Sequence, residues 1–197
     1  MIEPNDGQGT IVRWEDHIVP ILEHPDIHIR DKALVAVAWE SHPRPSELHR
    51  LSFGDVDDRG DHIAISFTRR DGRKRLLPLY GSMPYLKQWV QAEHPVIESL
   101  TPDADSLEEA PSETPVWTHI DSNESITQVL LYEITKRACE RADVPTEFTL
   151  HNIRRSRAKL LAAQSGLRAP VLRELFGWGP QMGKKFVKTI QDDDTNE

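Results

Sequence analysis

Residues 33–39 read Ala-Leu-Val-Ala-Val-Ala-Trp, an unbroken apolar run inside a segment, 30–40, whose composition favours a helix. A helix that is apolar on every side cannot lie on a surface and has to be covered by other elements all round. The chain must therefore build a core around this helix. At 197 residues it is long enough to do so as one domain with small appendages.

The rest of the pattern says what those other elements are. Trp14, Ile18, Ile21 and Leu22 mark one face of a helix over 14–22. Pro43 and Pro45 bracket Arg44 in a turn, and Ser-Glu-Leu-His-Arg-Leu resumes helical spacing at 46–51. His-Ile-Ala-Ile-Ser-Phe-Thr alternates and is β-branched, Asp71-Gly72 makes a turn, and Arg-Leu-Leu-Pro-Leu returns, so 62–79 is predicted to be a β-hairpin. Helices are expected over 82–90, 125–142, 152–164 (stopped by Gly166), 170–176 and 182–190. The Pro-, Ser- and acid-rich stretch 95–115 is expected to be a loop or a partly disordered linker. The predicted fold class is mainly α with a small antiparallel β-hairpin sheet. The domain spans 13–191, with a loose lead-in at 1–12 and an acidic tail at 192–197.

Charge is distributed unevenly. Between Glu93 and Glu124 there are nine acids and no Lys or Arg, and the tail Asp-Asp-Asp-Thr-Asn-Glu adds four acids. Setting those thirteen aside leaves 19 acids against 24 Lys and Arg, so a chain of net charge −8 carries a body near +5. Such a body is compatible with a nucleic-acid partner, as it is with an ordinary solvated surface. The single Cys139 excludes a disulfide framework and offers no metal-ligand set, so neither metal nor cofactor is expected. No apolar run reaches the ~20 residues of a membrane span, and the first ten residues lack a signal pattern; a cytoplasmic protein is the expectation.

Several short islands then fall in a telling order. Ser-His-Pro-Arg-Pro-Ser-Glu-Leu places Arg44 in a turn before a helix bearing Glu47. A hairpin with a basic tip follows. Leu-His-Asn-Ile-Arg-Arg-Ser sets His151 and Arg154 three apart, on one helix face. Gly177-Trp178 comes next, and Phe186 shortly after. This order resembles the catalytic domain of the tyrosine recombinases, the phage integrase family, whose pattern runs GxRxSEL, a hairpin lysine, HxxR, then GH or GW, and a tyrosine about nine residues on. The resemblance covers most of the chain, from about Trp14 to Ile190. It implies a mainly helical catalytic-type domain acting on double-stranded DNA, with oligomerisation left open. By resemblance Arg44 and Arg154 clamp the non-bridging oxygens of a phosphodiester, a task suited to two forked guanidiniums. His151 and Trp178 would donate hydrogen bonds to the same phosphate or hold its surroundings. Arg69, Arg73, Lys74, Arg75, Arg155, Arg157, Lys159, Lys184 and Lys185 are the expected DNA-contacting cations.

The chain departs from that pattern in three places. Arg70 stands where the family has its lysine, unless the turn register puts Lys74 there; an arginine, with a pKa above ~12, is a poor proton donor. The nucleophile position falls on Phe186, given a one-residue shortening of the Gly-Pro-Gln-Met loop, and a phenyl ring has no oxygen to attack phosphorus. Tyr80, Tyr85 and Tyr132 all precede the HxxR helix. Phe186 is either a natural loss or an experimental Tyr→Phe substitution. Finally, only a dozen residues precede the first helix, where the family usually carries a further DNA-clamping domain, so modest, salt-sensitive affinity is expected. The resulting expectation is a DNA-binding regulator of transcription, integration or excision, in a mobile element or virus, that does not cut. The alternative is an active recombinase whose tyrosine was replaced. Two other readings are weaker. Residues 154–178 also scan as a helix-turn-helix, but the second helix is too apolar to lie in a groove. The acidic segment is compatible with a DNA mimic or an autoinhibitor.

Overall fold

The computed structural model describes residues 11–69, 71–99, 110–145, 148–163, 169–179 and 181. A π-helical turn, Trp14–Ile18, runs into α1 (Val19–Glu23), with Pro20 in its first turn, where the missing N–H costs nothing. The apolar run forms α2 (Ile29–Ser41), and Ala33 to Val37 are fully buried. It packs against α4 (Met83–Gln88), α6 (Gln128–Arg141), α7 (Leu150–Ala163) and strand β3 (Lys74–Leu79), which is the all-round cover its sequence demands. Each buried Leu or Val contributes roughly 1.5–3 kcal/mol.

Between α2 and the sheet lies the short α3 (Pro45–His49). The sheet has three antiparallel strands in the order β1 (Val56–Asp58), β2 (Ile63–Thr68), β3, with Val56 opposite Ile65, and Phe67 and Thr68 opposite Arg75 and Lys74. The predicted hairpin is present, and β1 is an additional strand beside it. Along β3 burial alternates strictly: Arg75, Leu77 and Leu79 point inward, while Lys74, Leu76 and Pro78 point out. Glu40 at the end of α2 fastens the exit from β3. Its carboxylate accepts from the backbone N–H of Tyr80 (2.7 Å) and Ser82 (2.7 Å) and from the Ser82 hydroxyl (2.6 Å).

The stretch 95–115 departs from the expected loop at both described ends. Residues Pro95–Ser99 form α5. At the other end the chain is docked: Phe53 N–H donates to Thr114 O, Gly54 N–H to Ser112 O, and Val116 N–H to Leu51 O. Trp89 Nε1–H donates to Val116 O at 2.7 Å, and His94 Nε2 lies 3.0 Å from Pro115 O. Backbone pairing and two buried rings hold this segment, which composition alone does not reveal. α6 begins at Gln128, three residues later than expected, because Thr127 caps it by accepting from Leu130 N–H. α8 (Ala169–Phe176) closes the described structure. The expected helix at 182–190, the Gly166 stop and the acidic tail lie outside the described residues. Among the described residues no helix is long and apolar enough to cross a membrane, and no metal-binding group of side chains is found. Cys139 is buried, and burial pushes its thiol up to about 11.

Candidate functional site

α2 ends on His42, whose backbone is left-handed (φ 40°) and whose N–H closes the helix on Ala38 O. Side chains rarely adopt that conformation. In the motif His42-Pro43-Arg44 it occupies the position for which the family pattern GxRxSEL uses glycine. The imidazole turns inward, 4% exposed, with its centroid 4.0 Å from that of Phe176. Burial and the charges of Arg75, Arg154 and Arg157 push it down to about 3, so it is neutral. Its Nδ1 lies 3.0 Å from Glu40 O.

After this turn, Arg44 is the residue before α3, and Pro45 opens that helix. Glu47, one turn in, secures Arg44 twice. Its carboxylate accepts from Arg44 N–H at 2.8 Å and from the guanidinium Nη1 at 2.8 Å. The Glu47 side chain is 2% exposed, and Arg44 is 40% exposed. Arg75 approaches the same carboxylate at 3.5 Å from β3, so one buried acid stands between two guanidiniums.

A third guanidinium enters from α7. Arg154 is 8% exposed and lies over the Phe176 ring, 5.3 Å from its centroid. It donates to His42 O and, at 2.5 Å, to Phe176 O. Arg75 donates to Leu175 O, and Arg44 to Gly177 O at 3.1 Å. Three successive carbonyls at the end of α8 are thus each taken by a different arginine. The partial negative charge of a helix C-terminus favours such an arrangement. Burial pushes Arg154 down to about 9; Arg75 and Arg44 act in the same direction and Glu47 opposes them. Burial likewise pushes Arg75 down to about 10, with Glu47 opposing. Both remain charged at neutral pH. Three cations around one carboxylate leave an excess of positive charge in a site largely shielded from water, which suits an anion.

The motif residues are brought together unequally. Arg44 and Arg154 meet at neighbouring carbonyls. Trp178 stacks on Phe176 (4.7 Å, 25°), beside them. His151 is exposed at the start of α7, and its ring lies against Tyr132 (centroids 6.4 Å apart, 26°). Arg70, Phe186, Lys184 and Lys185 lie outside the described residues.

Two of the expected DNA-contacting cations do not stand on the open surface. Arg75 is buried, because the alternation that carries Leu77 and Leu79 inward carries it too, and its partners are Glu47 and backbone carbonyls. Arg157 packs over the Trp39 ring (5.4 Å), and burial lowers its pKa. Lys74, on the opposite face of β3 from Arg75, pairs with Asp55 at 3.4 Å and so does not turn toward the clamp. Arg155 is exposed and Lys159 half-buried on α7. Arg73 is exposed at the hairpin tip beside Asp71, and Arg69 lies against Gly177. Two features escape motif reading: the inward His42, and Arg173 on α8, which shares a cleft with Arg69 and Arg73.

Comparison with known proteins gives a consistent outcome. Residues 14–181 match the model of the phage integrase family. Among solved structures, the chain is similar to the XerA recombinase (TM-score 0.68, 15% identity, 91% of this chain and 60% of that one). It is also similar to the XerH site-specific recombinase bound to a palindromic difH substrate in a post-cleavage complex (0.64, 17%, 89% and 49%). A lambda integrase dimer bound to a COC′ core site is similar as well (0.58, 13%, 88% and 46%). The chain spans between about half and three fifths of the lengths of these recombinases. No curated protein matches significantly. With a family match across most of its length and the architecture of a tyrosine-recombinase catalytic domain, the chain belongs to the phage integrase family.

Proposed function

We propose that this chain is a DNA-binding protein of the recombinase fold that grips a backbone phosphate without cutting the strand. The observation that carries the reading is the convergence of Arg44, Arg75 and Arg154 on three successive carbonyls at the end of α8, with Arg44 and Arg75 also paired to the buried carboxylate of Glu47. Arg75 and Glu47 serve this site as positioning residues. Arg44, the most open of the three, and Arg154 retain N–H donors beyond those given to carbonyls, since a guanidinium has five. Those donors are the groups that meet the phosphate, with His151 and Trp178 at the margin. Strand cleavage by this family's chemistry needs a phenolic oxygen, and no tyrosine follows Tyr132 in the sequence. The role that follows is regulation of transcription, integration or excision in a mobile element or virus, with assembly into oligomers on DNA.

Fluorescence anisotropy on duplex DNA from the gene's own upstream region tests this. Binding should weaken linearly on a log–log plot against salt, and Arg44→Ala should weaken it further. No binding at low salt would end the proposal. A second reading is favoured by one contact, the stacking of Tyr132 on His151. If a nicked suicide substrate yields a covalent adduct that Tyr132→Phe abolishes, the chain is a strand cutter with a relocated nucleophile. The non-cleaving reading expects no adduct, and expects Phe186→Tyr to be needed before one forms.

A further inference from the structure

Beside the clamp, between the hairpin tip and α8, lies a cleft of about 410 Å³. Three arginines line it, Arg69 and Arg73 from the hairpin and Arg173 from α8, along with Asp71, Glu174 and the ring of Trp178. The cations are not equivalent. Arg73 sits 4.0 Å from Asp71, and both are well exposed, so that pair is largely self-contained. Among the described residues, Arg69 and Arg173 have no ion-pair partner, and the Nε of each is buried without a hydrogen bond. A buried guanidinium edge with nothing to donate to is costly, and such edges accumulate where an acceptor is due.

Arg69 is held at this wall by a backbone device. Gly177 has φ +60°, and a Cβ there would stand 2.7 Å from Arg69 Nε, so only glycine lets the guanidinium lie against the chain. The carbonyl of the same Gly177 accepts from Arg44. One residue therefore separates the cleft from the clamp. With Arg73 and Asp71 cancelling, Arg69 and Arg173 against Glu174 leave one unit of positive charge, which balances the single negative charge of a phosphodiester.

We propose that this cleft is a second phosphate-binding site, formed by Arg69 and Arg173 and distinct from the clamp at Arg44 and Arg154. The proposal rests on the DNA-binding reading for its DNA source: successive phosphates of one strand are only about 3.4 Å apart along the helix axis, so a neighbouring backbone group falls within reach. Free phosphate is the other source of the same chemistry.

Two measurements on the full chain test it. In the first, duplex DNA binding is followed across a salt series for the wild type, Arg69→Gln with Arg173→Gln, and Arg44→Ala. Loss of the cleft contact should lower the log–log slope by about 0.9 and weaken binding roughly tenfold at low salt, independently of DNA sequence. In the second, inorganic phosphate is titrated against tryptophan emission, with Trp178→Phe identifying the reporting ring. Quenching should vanish in the double Arg→Gln variant. It should tighten in Glu174→Gln, a gain that misfolding cannot mimic. Phosphate quenching without DNA binding retires the DNA reading and keeps the cleft as a site for free phosphate. An unchanged salt slope in the double variant, together with phosphate quenching that Glu174→Gln does not tighten, overturns the second site while leaving DNA binding at the clamp intact.

Discussion

The arginines around Glu47 and those at the hairpin tip are the same residue type a short distance apart, yet they act in different energetic regimes. Around Glu47, Arg75 and Arg154 are enclosed and bonded to carbonyls, with depressed pKa values, while the more open Arg44 is bonded to the Glu47 carboxylate. At the tip, Arg73 is largely in water, and its pair with Asp71 is screened. Burial therefore decides how far an arginine also holds the protein together. A substitution at the enclosed Arg75 or Arg154 should damage folding, and one at the solvated Arg73 should leave folding intact.

The largest effect should come from Glu47→Ala. It leaves Arg44, Arg75 and Arg154 facing one another without a counter-charge. Breaking a buried ion pair by removing one partner costs about 3–5 kcal/mol, readable as a lower denaturation midpoint. Next comes pH. Below about 6.5 the unfolded chain protonates His42, while the folded chain resists until about 3, so stability is full above that window and falls as the pH drops through it. His94, pushed by burial to about 4, acts in the same direction. The loss is on the order of a few kcal/mol for His42, and His42→Asn, which tolerates a left-handed backbone, should flatten the profile between pH 6.5 and 4. Gly177→Ala should cost about 1–2 kcal/mol from the positive φ. It should also displace Arg69 and weaken phosphate binding in the cleft. The smallest effect should be that of Arg73→Ala, within about 0.5 kcal/mol on stability. A destabilisation there as large as that of Glu47→Ala would erase the distinction between the two groups.

Much of this was legible in the residues. The hairpin announced itself because alternation and Asp71-Gly72 agree, and the central helix because a run such as 33–39 has only one place to go. The order Arg44, His151 and Arg154, Trp178 was enough to suggest the family. The charge of Arg75 suggests a surface position, whereas its spacing from Leu77 and Leu79 places it inward. β1 leaves no signal in the sequence, because Val-Asp-Asp has no pattern of its own and exists through pairing with β2. Composition suggested a loose linker over 95–115, but it cannot report that Trp89 and His94 pin the far end of that segment. His42 reads as an ordinary turn residue until the left-handed backbone and the Phe176 ring are seen together.

The capping of α8 by three arginines bears on how tightly any anion can be held. A free arginine side chain forfeits about 2 kcal/mol of rotamer entropy when it is immobilised. Here Arg44 and Arg154 are already immobilised by the carbonyls of Gly177 and Phe176. The loss is thus incurred once, when the chain folds, and not again at each encounter with a ligand. A helix end serves as the jig that keeps two flexible arms cocked.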